Sequence, residues 1–176
     1  MVPIDNREWN LLPESESDRI WTGFISQFHF RPSTKPVDWP SITEPLPSMT
    51  WDVSDTFRLY DSDQTSYYEQ ERRFQQGLIA SFRECIPVAQ LVYALSWHHD
   101  SYSFSPFDPR ILTRLDEWPV LAFPIGNYTI FLSSAFDCGV FGHPWERTIC
   151  TFGEKLMTAI AQHTPQSLKG PIRHKH

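Results

Sequence analysis

Apolar side chains at Ile20, Trp21, Phe24, Ile25 and Phe28 recur at steps of three and four. That spacing lays one apolar stripe along a helix and predicts such an element over 14–28, closing by residue 30. Ser15 or Ser17 can cap it, with Asp18 in the first turn where the dipole favours an acid. The pattern then breaks. The run "RPSTKPVDWPSITEPLPS" holds Pro32, Pro36, Pro40, Pro45 and Pro47, which only extended, polyproline-like backbone tolerates. Because it also carries Trp39 and Ile42, residues 31–49 read as a strap lying on the surface, not as a free linker. "TWDVSDTFRLY" alternates apolar and polar residues and suits one or two short strands. After the polar turn "DSDQ", Tyr67, Phe74, Leu78, Ile79 and Phe82 share a face, predicting a helix over about 64–84 with "EQERR" as its solvated side.

The second half reads as sheet. "AQLVYALSW" is a central strand by composition, and "SYSFSP" a second, with Tyr102 and Phe104 on one face. "DEWPVLAFP" and "NYTIFLSS" flank Gly126-Asn127 as a hairpin would, and "FDCGVF" suits a last short strand. In "CGVFGHPWERTICTFG", Pro144 fits the first position of a helix, His143 its N-cap and Glu146 its third residue. Trp145, Ile149, Phe152, Leu156, Ala159 and Ile160 then fall in one arc, predicting an inward-facing helix over 144–163. The closing "KGPIRHKH" reads as a short frayed tail over 164–176. Together these elements predict one α+β domain over 1–176. An antiparallel or mixed sheet of about four to six strands and three main helices, packed mainly on one face, would form its core over 50–163.

Composition narrows the class. Hydrophobic residues make up 40% of the 176 and charged residues 20%, the balance of a globular chain. A net charge of −6 with only 15 basic residues argues against a nucleic-acid partner, which needs clustered Lys and Arg. No apolar run reaches membrane-spanning length, and "MVPIDNREWNLLPESES" has no basic region followed by an apolar one. Three cysteines, Cys85, Cys138 and Cys150, make no close pair. The expectation is a cytoplasmic protein with free thiols and no membrane contact.

The run "GVFGHPWERTICTFGEKL", preceded by "YALSWHHDSYSFSP" and "FPIGNYTIFLSSAFDCG", resembles a bacterial family, domain-of-unknown-function family 2716. The resembling blocks fall at 93–106, 124–132 and 139–156, so the C-terminal half carries the likeness and the N-terminal half follows it loosely. The family pattern has acids beside the turn glycine, where this chain has Ile125 and Asn127, and this chain doubles the histidine at His98 and His99. The resemblance implies no particular activity.

Candidate chemistry is sparse. His98, His99, Asp100, Asp108, Asp137, His143 and Glu146 are ligand types, but no paired-histidine helix motif organises them, and neither metal nor cofactor is called for. Cys138, next to Asp137 and near His143, invites a thiol–imidazole pairing. A helix start at Pro144 would also offer free N–H groups to an anion, which Glu146 would oppose. The favoured expectation is a non-catalytic protein-binding module of the immunity or accessory type, by analogy of build. The alternative is a metal- or histidine-dependent enzyme acting on a small molecule. The candidate binding residues are Trp97, His99, Tyr102, Phe104, Asp137, His143, Trp145 and Glu146, where "WHHDSYSF" is expected to meet the FGHPW corner.

Overall fold

The computed structural model describes residues 8–176. The expected single domain over 1–176 and the reading of the N-terminal run both extend into 1–7, outside the described residues. Eight strands form one sheet in the order β1-β4-β3-β5-β6-β7-β2-β8, every pair antiparallel. They are β1 (Trp9–Leu11), β2 (Ser48–Asp52), β3 (Val92–Ser96), β4 (Tyr102–Phe104), β5 (Thr129–Ser133), β6 (Gly139–His143), β7 (Thr148–Phe152) and β8 (Lys169–Lys175). Among the described residues four α-helices accompany them: α1 (Glu14–Phe28), α2 (Ser54–Ser62), α3 (Gln64–Cys85) and α4 (Glu154–His163). The α+β class holds, while the strand and helix numbers exceed those the pattern predicts.

Three helices, α2, α3 and α4, cover one face of the sheet as expected, and α1 covers the other. Successive side chains of a strand point to opposite sides, and here both sides are apolar. Val92, Ala94, Phe131, Val140 and Ile149 join Phe74, Leu78, Phe82, Leu156 and Ile160 under α3 and α4. Tyr93, Leu95, Ile130, Leu132, Phe141 and Cys150 join Ile20, Phe24 and Phe28 of α1, with Phe30 and Ile42 from the proline-rich strap. The strap is therefore no loose wrapping. It drives two apolar side chains into the second core, and its Trp39 lies half-buried against His143.

Four predicted elements are corrected. The FGHPW corner launches no helix: β6 and β7 form a hairpin whose four-residue loop is Pro144 to Arg147, with His143 paired to Thr148. Arg147 takes a left-handed conformation (φ 59°), which ends any helix there, and Thr148, Ile149 and Thr151 are β-branched. The predicted arc splits, Ile149 and Phe152 serving the hairpin, and only after Gly153 (φ 87°) does α4 begin. Residues 54–62 are helical instead of extended. The Asp52 carboxylate accepts from the Ser54 N–H at 2.7 Å, and Tyr60 meets Tyr67 of α3 edge-on.

The segment "DEWPVLAFP" is no strand either. Pro119 and Pro124 lack donors, and the Ala122 and Phe123 N–H groups donate to the Glu71 carboxylate (2.5 and 3.1 Å). Glu71, in the stretch read as solvated, is thus buried beneath this segment. Burial pushes its carboxyl up to about 7, against the pull of these donors, Tyr67 and Gln75. Finally, residues 169–175 are not frayed, because they pair with β2 as the sheet's outer strand.

Candidate functional site

Antiparallel pairing brings Ser96, Thr129, Gly142 and Ile149 to one end of the sheet. Past that end, the β3–β4 turn and the β6–β7 loop meet around Tyr128. Trp97 and Trp145 each stand edge-on to its ring, with centroids 5.9 and 5.3 Å away. His143 lies 4.9 Å from the same ring, and Trp39 of the strap covers His143 at 5.3 Å. Tyr128 and His143 are sealed, whereas Trp145 keeps 39% of its surface exposed. Trp145 is accordingly no core residue.

The buried polar groups form a directed chain. Glu146 N–H donates to His143 Nδ1 at 3.0 Å, so that nitrogen is the acceptor and the neutral ring carries its proton on Nε2. Nε2 lies 2.9 Å from Ser41 Oγ, which therefore accepts and passes its own hydrogen to the Tyr128 hydroxyl at 3.1 Å. Tyr128 donates on to Ser33 O (3.2 Å) and accepts from Ser33 N–H (3.0 Å). Burial, the largest influence, lowers the His143 pKa to about 4, with the nearby Glu146 charge opposing and Arg173 assisting. A serine beside a histidine suggests a nucleophile and its base, yet a base needs a free lone pair on the nitrogen facing the hydroxyl. Here that nitrogen holds the proton, and no carboxylate faces the other one. The chain fixes the strap; it does not activate Ser41.

A second network ties the loop to β8. Arg173 grips Glu146 through Nη1 and Nη2 (2.6 and 3.0 Å) and Glu44 of the strap through Nε and Nη2 (3.0 and 2.7 Å). Glu44 also accepts from Thr50 Oγ1 at 2.8 Å, and Lys175 Nζ lies 3.5 Å from its other oxygen. Burial alone would raise the Glu44 pKa, but Arg173, Thr50 and Lys175 outweigh it and hold the carboxyl below its usual range. Glu146 also accepts from Thr148 Oγ1 at 2.8 Å. Its role is to join the hairpin loop, the strap and β8, not to cap a helix.

The remaining predicted residues scatter. Phe104 is fully buried, its ring tilted against Trp9 (4.6 Å) and Trp118, and Tyr102 packs edge-on to Trp9 on that same face. His99 is exposed and lines a cleft with Asp100 and Tyr102. Asp137 lies past the opposite end of β5 and β6, accepting from Ser133 Oγ at 2.6 Å. Cys138 shares that end, a strand's length from His143, and burial pushes its thiol up to about 12, the reverse of activation. Among the described residues no group of three or more His, Cys, Asp or Glu is placed to hold a metal ion. No described helix is long and apolar enough to cross a membrane.

Ser41, Tyr128, Trp39, Glu44 and Arg173 escape a reading of the sequence. Tyr128 had a signal, in the aromatic run after the glycine turn. The strap residues and Arg173 had none, since nothing local shows that they meet 100 or more positions away.

Among curated proteins, the chain is 29% identical over 159 residues to the Uncharacterized protein YxiI of Bacillus subtilis (strain 168), covering 89% of this chain and 94% of that protein. No solved structure matches it. The family model described as Protein of unknown function (DUF2716) matches residues 11–157, which takes in the strap, the Tyr128 cluster and the FGHPW hairpin; the chain belongs to that family.

Proposed function

We propose that this protein is a non-catalytic binding module, of the accessory or immunity type, that engages a partner protein through Trp39, Trp97 and Trp145. One observation carries the reading: three tryptophans from three separate segments converge on the Tyr128–His143 pair and keep part of their surface in water. Large rings held by packing lose little freedom on binding, which is why tryptophans concentrate at interface hot spots. Val37, two residues before Trp39 in the strap, is 86% exposed. With a net charge of −6, the complementary partner surface is basic around an apolar centre.

The alternative, a histidine- or metal-dependent enzyme, finds less support. Such an enzyme calls for His99 and His143 in one concave site. His99 instead lines a cleft on the α3 face, while His143 is enclosed on the strap face in the tautomer that cannot take a proton from Ser41.

The test begins with proteins co-purified with the untagged chain and identified by mass spectrometry, each then purified and titrated calorimetrically. Trp145→Ala, verified as folded by circular dichroism, should weaken the true partner at least about tenfold, the scale of a hot-spot residue. Equal affinity of wild type and Trp145→Ala for every saturable partner would remove the proposal.

A further inference from the structure

Behind the strand ends that carry the tryptophans, on the α3 side of the sheet, lies a cleft of about 350 Å³. Alternation assigns the sides: Ala94 and Phe131 face α3, so Ser96 and Thr129 do too, whereas Trp97 turns to the strap. The sheet therefore separates this cleft from the tryptophan surface, and the inference below does not depend on the function proposed above. The β3–β4 turn supplies His99 and Asp100, and β4 supplies Tyr102. The irregular segment pinned by Glu71 supplies an apolar wall of Val120, Leu121 and Ile125.

The one formal charge here, on Asp100, and the amide oxygen of Asn127 are acceptors, beside the hydroxyls of Ser96, Tyr102 and Thr129. Asn127 commits both amide hydrogens, to Ser96 Oγ and Trp97 O at 2.8 Å each, and so presents its carbonyl oxygen as an acceptor with no partner among the described residues. The Asp100 carboxylate has no ion-pair partner among the described residues, and no Lys or Arg lines the cleft. Acceptors on one side, an aliphatic wall on the other and one unbalanced negative charge select a ligand with donors, a positive charge and a short apolar stem. We propose that this cleft binds an alkyl cation: an ammonium or guanidinium group on a short aliphatic chain. Asp100 is the counter-charge, Asn127 the directional acceptor, and Val120, Leu121 and Ile125 seat the chain. The same chemistry is carried by a free small amine and by a Lys or Arg side chain of another protein.

The probe is n-butylguanidinium chloride, titrated into uniformly labelled protein and followed by amide and side-chain NMR shifts. Saturable shifts should centre on Ser96, His99, Asp100 and the Asn127 side-chain amide, with a dissociation constant of about 1 mM, ordinary for so small a ligand. Butyrate, the anionic match in length, should produce none. Asp100→Asn, an exposed isosteric change, should weaken binding at least about fivefold, as expected for losing one charge pair near a surface. Leu121→Trp, verified as folded by circular dichroism, should abolish it by filling the cleft. An arginine-containing tripeptide with blocked ends separates the sources. Binding at least as tight as the free cation points to a protein side chain, and binding of the free cation alone points to a small amine. Absence of saturation up to about 20 mM, equal binding of butyrate, or an Asp100→Asn protein that binds like wild type overturns the proposal.

Discussion

Removal of the Ser41 hydroxyl tests whether the strap is locked by the chain from His143 to Ser33. Ser41 is 4% exposed and His143 is fully buried. In Ser41→Ala the His143 Nε2–H loses its acceptor, 2.9 Å away, and the Tyr128 hydroxyl loses a donor. An orphaned buried donor costs about 1–3 kcal/mol, a sizeable share of a total stability of roughly 5–15 kcal/mol. A second variant isolates the backbone. Ser41 has φ 70°, which glycine adopts freely and alanine does not. Ser41→Gly loses the same hydroxyl yet should be about 0.5–1 kcal/mol more stable than Ser41→Ala. Urea unfolding at pH 7, read from midpoints at constant slope, gives both values. A Ser41→Ala protein within about 0.5 kcal/mol of wild type, or a glycine variant less stable than the alanine one, would refute the reasoning.

Two buried groups set opposite pH dependences. His143 is held to about 4, below its unfolded value of 6.5, so its contribution is full above 6.5 and is lost as pH falls through 4, about 3 kcal/mol in all. Glu71 is raised from 4.5 to about 7, so its contribution is full below 4.5 and is lost as pH rises through 7. The two slopes offset each other between pH 4.5 and 6.5; His143→Asn should unmask a stability that falls with rising pH, and Glu71→Gln one that rises, by unfolding at a series of pH values. Arg173→Ala strands the buried Glu44 carboxylate and should cost about 3–5 kcal/mol, much of it recovered in the Glu44→Gln, Arg173→Ala double variant, by the same unfolding assay. Gly142→Ala would set a methyl group 2.7 Å from Thr129 Oγ1 and 2.8 Å from Pro124, costing about 1–3 kcal/mol, whereas Gly170→Ala meets nothing within 4 Å and should leave the melting temperature unchanged.

Much of the frame was legible along the chain. The stripes of α1 and α3 are periodic over many residues, so they form wherever a core lies beside them; α1 ends at the predicted Phe28, and α3 one residue past the predicted stretch. The strands "YALS", "YSF" and "TIFLS" announced themselves by β-branched and aromatic residues. The expectation that "WHHDSYSF" lies beside the FGHPW corner came from placing both at ends of regular elements, and Trp97 and Trp145 both pack on Tyr128. The FGHPW corner misled because its local chemistry suits two structures. Proline at a first helical position and an acid three residues after a capping side chain also describe a tight hairpin loop, with His143 Nδ1 receiving the Glu146 N–H in either case.

Sequence alone determined the α+β class, two of the four helices, the strand-rich second half and the family, because periodicity and motif are local properties. Tertiary structure decided the rest. The choice of hairpin over helix at 144–152 rested on β2 and β5 waiting on either side with open hydrogen bonds, and β8 formed because Arg173 could satisfy two carboxylates brought together from positions 44 and 146. The acceptor for the His143 Nε2 proton likewise came from a serine 102 residues away. Hydrogen bonds and ion pairs between distant segments have no period along the chain; only folding supplies the partner.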